Sequence, residues 1–128
     1  MIIGIGTDIL DSPRLSLLLL RDSFLKKVYT QDEIEYLKAH KMNQSTAAGM
    51  FSVKEAVAKS LGRGFDYLSW KDIEIAHDEY GRPHAVLHGK AEELFKSLNG
   101  TNVHISISHV RFAAVAQCIL EGRDSADC

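Results

Sequence analysis

Between about Ser45 and Leu61 the chain repeats its apolar residues with the period of an α-helix, then meets Gly62, a natural helix stop. On a helical wheel Ala47, Met50, Phe51, Val57, Ala58 and Leu61 fill one broad arc that the rest of the fold has to cover. Two features are out of place. Lys54 falls inside the arc, and Glu55 stands on its border with Lys59 one turn further on. An amphipathic helix keeps its charges on the far side, so this segment has to face something besides an apolar core.

The flanking segments supply that core. Residues 2–9 read as a buried strand in which Gly4 and Gly6 mark close backbone approach. Ser12-Pro13 opens a helix of about two to four turns, and Thr30 with Glu33 forms a capping box before a second one. Residues 72–88 alternate on either side of Gly81-Arg82-Pro83 and predict a hairpin. A short helix, "KAEELFKSL", ends at Asn99-Gly100. "VHISIS" then places Val103, Ile105 and Ile107 on one face and His104, Ser106 and Ser108 on the other. A tight Ser-His turn leads into a returning strand, "FAAVAQCIL". The order β-α-α-α-β-β-α-β-β predicts an α+β domain over residues 1–121, a mainly antiparallel sheet packed against the long helix. Residues 122–128 are expected to form a flexible polar tail.

A chain of 128 residues suits one domain, and 45% apolar with 25% charged residues is the make-up of a soluble globular protein. A net charge of −2 gives no overall attraction to nucleic acid. No apolar run nears the roughly 20 residues that span a bilayer, and "MIIGIGTDIL" does not resemble a secretory leader. Cys118 and Cys128 lack metal spacing. A reducing, cytoplasmic setting without membrane association is the expectation.

Taken singly, Asp8 is an ordinary residue before a turn, and Glu55–Lys59 an ordinary i,i+4 helix pair. Together, two carboxylates with lysines nearby suit a hard divalent cation that also binds phosphate oxygens. The Gly62-Arg63-Gly64 turn would let backbone amides approach an anion, although a helix cap explains Gly62 equally well. The glycines follow the helix, so this is no P-loop. His104, Ser106 and Ser108 form a polar strand face that solvent alone would also explain.

"GIGTDIL" with Arg14 behind it, "FSVKEAVAKSLGRG", "DIEIAHDEYGRPHAVLHG" and "HISISH" together resemble holo-acyl-carrier-protein synthase, the short type of phosphopantetheinyl transferase, over nearly the whole chain. The resemblance implies transfer of the phosphopantetheine arm of coenzyme A to a serine of apo acyl carrier protein, with release of adenosine 3′,5′-bisphosphate, in fatty acid biosynthesis. It implies that Asp8 and Glu55 hold magnesium and that Lys59 lies near the transferring phosphate. Lys54, Gly62, Arg63, Gly64, His104 and Ser106 are the expected coenzyme A contacts. The proton acceptor for the serine would be Glu55 or a water. Met50 stands where an arginine is usual, and Arg63, where a threonine is usual, is the candidate replacement.

The resemblance also implies a homotrimer with sites between subunits. If residues 13–25 form one helix, Arg14, Leu18, Arg21 and Leu25 share a face, and Arg14 and Arg21 are the expected carrier-protein contacts.

Overall fold

Leu15, Leu19, Leu25 and Val28 are all buried. A continuous helix turns about 100° per residue and would spread these four over half its circumference. The chain therefore breaks, forming α1 (Ser12–Leu18) and α2 (Asp22–Val28) with Arg21 in extended conformation between them. This corrects the single helix expected over residues 13–25. The computed structural model describes residues 1–124; Cys128 and the end of the expected tail lie outside them.

The other elements are β1 (Ile2–Asp11), α3 (Gln31–Ala39), α4 (Gln44–Leu61), β2 (Ile73–His77), β3 (Pro83–Leu87), α5 (Gly89–Ser97), β4 (Gly100–Val110) and β5 (Ala113–Gly122). A 3-10 turn at Trp70–Asp72 leads into β2. The strands form two antiparallel sheets, one of three strands in the order β1-β5-β4 and the hairpin β2-β3. The β4–β5 turn falls at Arg111-Phe112 and not at Ser108-His109, because His109 and Val110 still pair with Ala114 and Ala113. Gly122 exchanges backbone hydrogen bonds with Met1, and the Arg123 amide donates to the Asn99 carbonyl. The expected tail is thus tied to the fold as far as Arg123.

Helix α4 lies across one face of the larger sheet. Ala47, Met50, Val53, Ala56, Val57 and Leu61 meet a core completed by Ala114, Ala116, Cys118 and Leu120 of β5. Its N-cap is Asn43, whose side chain accepts from the Thr46 amide at 3.1 Å, and its C-cap is Gly62 at φ 82°. A left-handed residue there is easy only for glycine.

Lys54 is buried at the other side of α4 and explains the charge in the apolar arc. Its ammonium donates to Glu33 Oε1 at 2.8 Å, to the Trp70 carbonyl at 3.1 Å and to the Ile73 carbonyl at 2.6 Å. Glu33 also accepts from the Thr30 and Ile75 amides, each at 2.8 Å. The capping box is present as expected, and its glutamate continues inward as the counter-ion of Lys54. Burial pushes the Lys54 pKa down, and the Glu33 carboxylate opposes that push. One buried pair fastens α3, α4 and β2 together.

Candidate active site

Two glycines set the distance between β1 and α4. A Cβ on Gly6 would lie 1.9 Å from the Ala56 carbonyl oxygen, and one on Gly4 2.2 Å from that of Ser60. Only a bare backbone lets the helix rest on the strand this closely. Asp8 follows on the same strand, opposite the fully buried Ala116 and hence on the helix side of the sheet.

The approach brings the last two turns of the helix to the strand. Lys59 Nζ donates to the Thr7 carbonyl at 3.0 Å and to Asp8 Oδ1 at 3.3 Å, a contact across 51 residues of sequence. Glu55 lies one turn before Lys59. Partial burial raises the pKa of its carboxyl, the negative charge of Asp8 raises it further, and Lys59 works against both. Asp8, Glu55 and Lys59 are therefore one electrostatic unit with more negative than positive charge.

An all-oxygen pair of carboxylates fits a hard cation. Magnesium in particular takes one or two carboxylates and completes its shell with waters and phosphate oxygens. Among the described residues no group of three or more His, Cys, Asp or Glu is arranged to hold a metal. An ion bound by Asp8 and Glu55 would take its remaining oxygens from waters and from a bound phosphate.

His104 and Ser106 lie elsewhere. They pair with Ile119 and Gln117, both exposed, so they face outward, away from α4. Nε2 of His104 meets Glu121 Oε1 on the same face. Asp8 and His104 thus occupy opposite faces of one sheet, on its two outer strands. Ser106 contributes to a cavity of about 580 Å³ between the β2–β3 turn, β4 and the first half of α4. Arg82, His77, His109, Met50 and Ser45 line it as well, whereas Asp8, Glu55 and Lys59 do not.

Residues 4–113 match the 4′-phosphopantetheinyl transferase superfamily. The chain belongs to that family. It is 43% identical to the holo-[acyl-carrier-protein] synthase of Clostridium novyi, covering 100% of this chain and 94% of that one. Its fold is similar to the crystal structure of holo-ACP-synthase from Plasmodium yoelii, with a TM-score of 0.82 and 36% identity over 97% of this chain and 98% of the other. It is also similar to the holo-(acyl-carrier-protein) synthase of Bacillus anthracis in complex with CoA (3′,5′-ADP), with a TM-score of 0.79 and 33% identity over 96% and 99% of the two chains.

As a phosphopantetheinyl transferase the chain is an enzyme, and its fold redistributes several expected contacts. Lys54 has all three of its donors engaged inside the protein and none left for a ligand, so its place is structural. The Gly62 amide donates to the Ala58 and Lys59 carbonyls and the Arg63 amide to Ala58. Both close the helix and are not free to cradle an anion, which leaves the Gly64 end of the turn. Met50 is buried in the wall of the large cavity. Arg63 lies beyond the Gly62 stop of α4 and stacks on Tyr67. Arg63 does not line that cavity, whereas Arg82 does.

Sequence reasoning names Asp8, Glu55 and Lys59 and gives Arg82 only as a turn residue; His77 has no sequence signal of its own, and the fold brings both to the lining of the large cavity. Arg14 and Arg21 are both exposed, yet the helix break removes their common face. Leu25 is buried, and the exposed apolar residues beside the two arginines are Leu17 and Leu20.

Proposed function

We propose that the chain is a magnesium-dependent holo-acyl-carrier-protein synthase. It moves 4′-phosphopantetheine from coenzyme A to a serine hydroxyl of apo acyl carrier protein and releases adenosine 3′,5′-bisphosphate, in the cytoplasmic supply of carriers for fatty acid biosynthesis. The observation that carries this reading is the meeting of Asp8, Glu55 and Lys59. The names of the relatives and the coenzyme A bound to the Bacillus anthracis protein support the substrate.

Phosphoryl transfer asks mainly for positioning and for neutralisation of charge on the phosphate oxygens. Asp8 and Glu55 would hold magnesium, which supplies part of that neutralisation when bound. Lys59, oriented by Asp8 and the Thr7 carbonyl, presents its remaining donor to a phosphate oxygen of the diphosphate. The serine oxygen forms the new bond to phosphorus, and the bond to the adenosine 3′,5′-bisphosphate oxygen breaks. Glu55 or a water takes the serine proton.

A single chain presents the catalytic cluster and the His104–Ser106 strand on opposite sides of its sheet. Coenzyme A would therefore bind between copies, its phosphates at Asp8, Glu55, Lys59 and Gly64 of one subunit and its nucleotide end at Arg82, His104 and Ser106 of the next. The outward sheet face supports such packing, since Ile5 and Ile9 are 70% and 72% exposed beside Ile119 and Val115 of β5. A closed trimer repeats this heterologous contact three times. Arg14 and Arg21, with Leu17 and Leu20, offer the cationic and apolar surface that an acidic carrier-protein helix would meet. Incubation of apo carrier protein with coenzyme A should add one phosphopantetheine by mass, and omission of magnesium should abolish the gain. An unchanged carrier mass with magnesium present contradicts the reading.

A further inference from the structure

The large cavity has an uneven charge pattern. Arg82, His77 and His109 line it, and no carboxylate does. Ser45 and Thr46 add the first turn of α4, the positive end of that helix. His77 is held in an unusual way. Its ring lies flat on Tyr36, with centroids 3.9 Å apart and planes 3° apart, and His40 stacks with the same tyrosine at 4.1 Å. Nδ1 of His77 is buried with no hydrogen-bond partner, whereas buried polar atoms are normally paired.

Both nitrogens of an imidazolium are donors, so a proton added to free His77 leaves a buried N–H without an acceptor. Burial lowers the His77 pKa from its usual 6.5, and His40 and His84 lower it further. Asp78, the next residue, acts in the opposite direction. Asp32 and Glu74 line a small separate cavity against the same strand, and Arg82 and His109 face His77 across the large one. On the side of the large cavity the ring's neighbours in the lining are Arg82 and His109, with no carboxylate among them.

We propose that His77 takes up a proton when a phosphorylated nucleotide occupies this cavity, coupling co-substrate binding to pH. The inference rests on the co-substrate reading above. Phosphate charge beside the ring favours the imidazolium, and by linkage the imidazolium favours the ligand by the same factor. A rise of about one unit in the His77 pKa on binding equals a tenfold difference in affinity between its two charge states. The sign is fixed: this contribution is greatest at acid pH and disappears as pH rises through the liganded pKa. The second ionisation of the ligand phosphate, near pH ~6, works the other way, so the comparison has to be made against a variant.

Adenosine 3′,5′-bisphosphate is the probe. The ring signals of His77, followed by NMR in the full-length protein, should titrate below the usual histidine range when free and about one unit higher with the probe bound. Calorimetry in two buffers of different ionisation heat should show net proton uptake at neutral pH. In His77→Gln most of that uptake should vanish, and affinity should fall several-fold near pH ~6 while staying within about twofold near pH ~8. His109→Gln should keep the His77-dependent part. An equal loss of affinity at both pH values would assign the ring a purely structural role against Tyr36 and overturn the coupling. An unmoved His77 titration in the wild type would overturn it as well, even if the variant failed to fold. Failure of the probe to bind wild-type protein would remove the co-substrate reading together with the coupling, whereas binding without His77-linked uptake would remove the coupling alone.

Discussion

Glu55 is partly buried and shares its surroundings with a second carboxylate and one lysine. Its folded-state pKa is raised, so its ionisation opposes folding of the metal-free protein. That penalty is absent below the unfolded-state pKa and grows as pH rises through the folded-state value. Glu55→Gln should therefore stabilise the metal-free protein at neutral pH, by on the order of 0.5 kcal/mol once solvent screening is allowed for, and should not do so in acid. Thermal melts across pH check this, and a stabilisation that persisted unchanged into acid would contradict it. Magnesium should raise the melting temperature of the wild type and not of the variant. For activity, Asp8→Asn should remove most of the transfer rate. Adding Glu55→Gln should then cost far less than it does alone, because residues that act as a unit are non-additive. Additive losses without any magnesium dependence would separate the two carboxylates.

At the scale of elements, α4 is held from two sides by different means. Toward β1 it needs the bare backbones of Gly4 and Gly6, so Gly6→Ala should displace Glu55 and Lys59 from Asp8 and lower turnover as well as stability. Toward α3 and β2 it needs the Lys54–Glu33 pair. Lys54→Ala should destabilise the fold by ~3–5 kcal/mol, because it leaves a buried carboxylate without its counter-ion. Urea unfolding measures the loss, and a change below ~1 kcal/mol would mean that the pair is dispensable. The sequence made α4, its Gly62 stop and the Thr30–Glu33 capping box legible, since each depends on neighbours within a turn or two. Period-two alternation likewise placed the faces of β4. Lys54 was visible only as an anomaly, because its partner lies 21 residues away and the two carbonyls that complete it belong to the backbone. The break after α1 was hidden for a related reason. Leu17–Leu20 reads as good helix, and only the burial of Leu15, Leu19, Leu25 and Val28 together forces the chain to turn. Asp8, Glu55 and Lys59 could be named from the motif, but their meeting depends on how close two glycines let a helix come.

In the whole molecule Asp8 lies on one side of a three-stranded sheet and His104 and Ser106 on the other. The proposed packing of copies would cover the exposed isoleucines of β1 and bring the two faces into one site. Arg14→Glu, at a residue outside the lining of the large cavity, should raise the KM for carrier protein by roughly tenfold, the effect of about 1.4 kcal/mol, and leave that for coenzyme A nearly unchanged. Steady-state kinetics with each substrate varied would show it, and equal effects on both would remove the docking role. The most direct test of the shared site mixes two defective proteins. Glu55→Gln and His104→Ala subunits, each inactive or nearly so as pure oligomers, are exchanged in equal amounts and assayed by phosphopantetheine gain on apo carrier protein. If Glu55 and His104 serve one site from different chains, random mixing in a closed trimer restores about a quarter of the sites, and activity should return to about that level. A mixture that exchanges subunits yet stays as inactive as its parents would contradict the shared site.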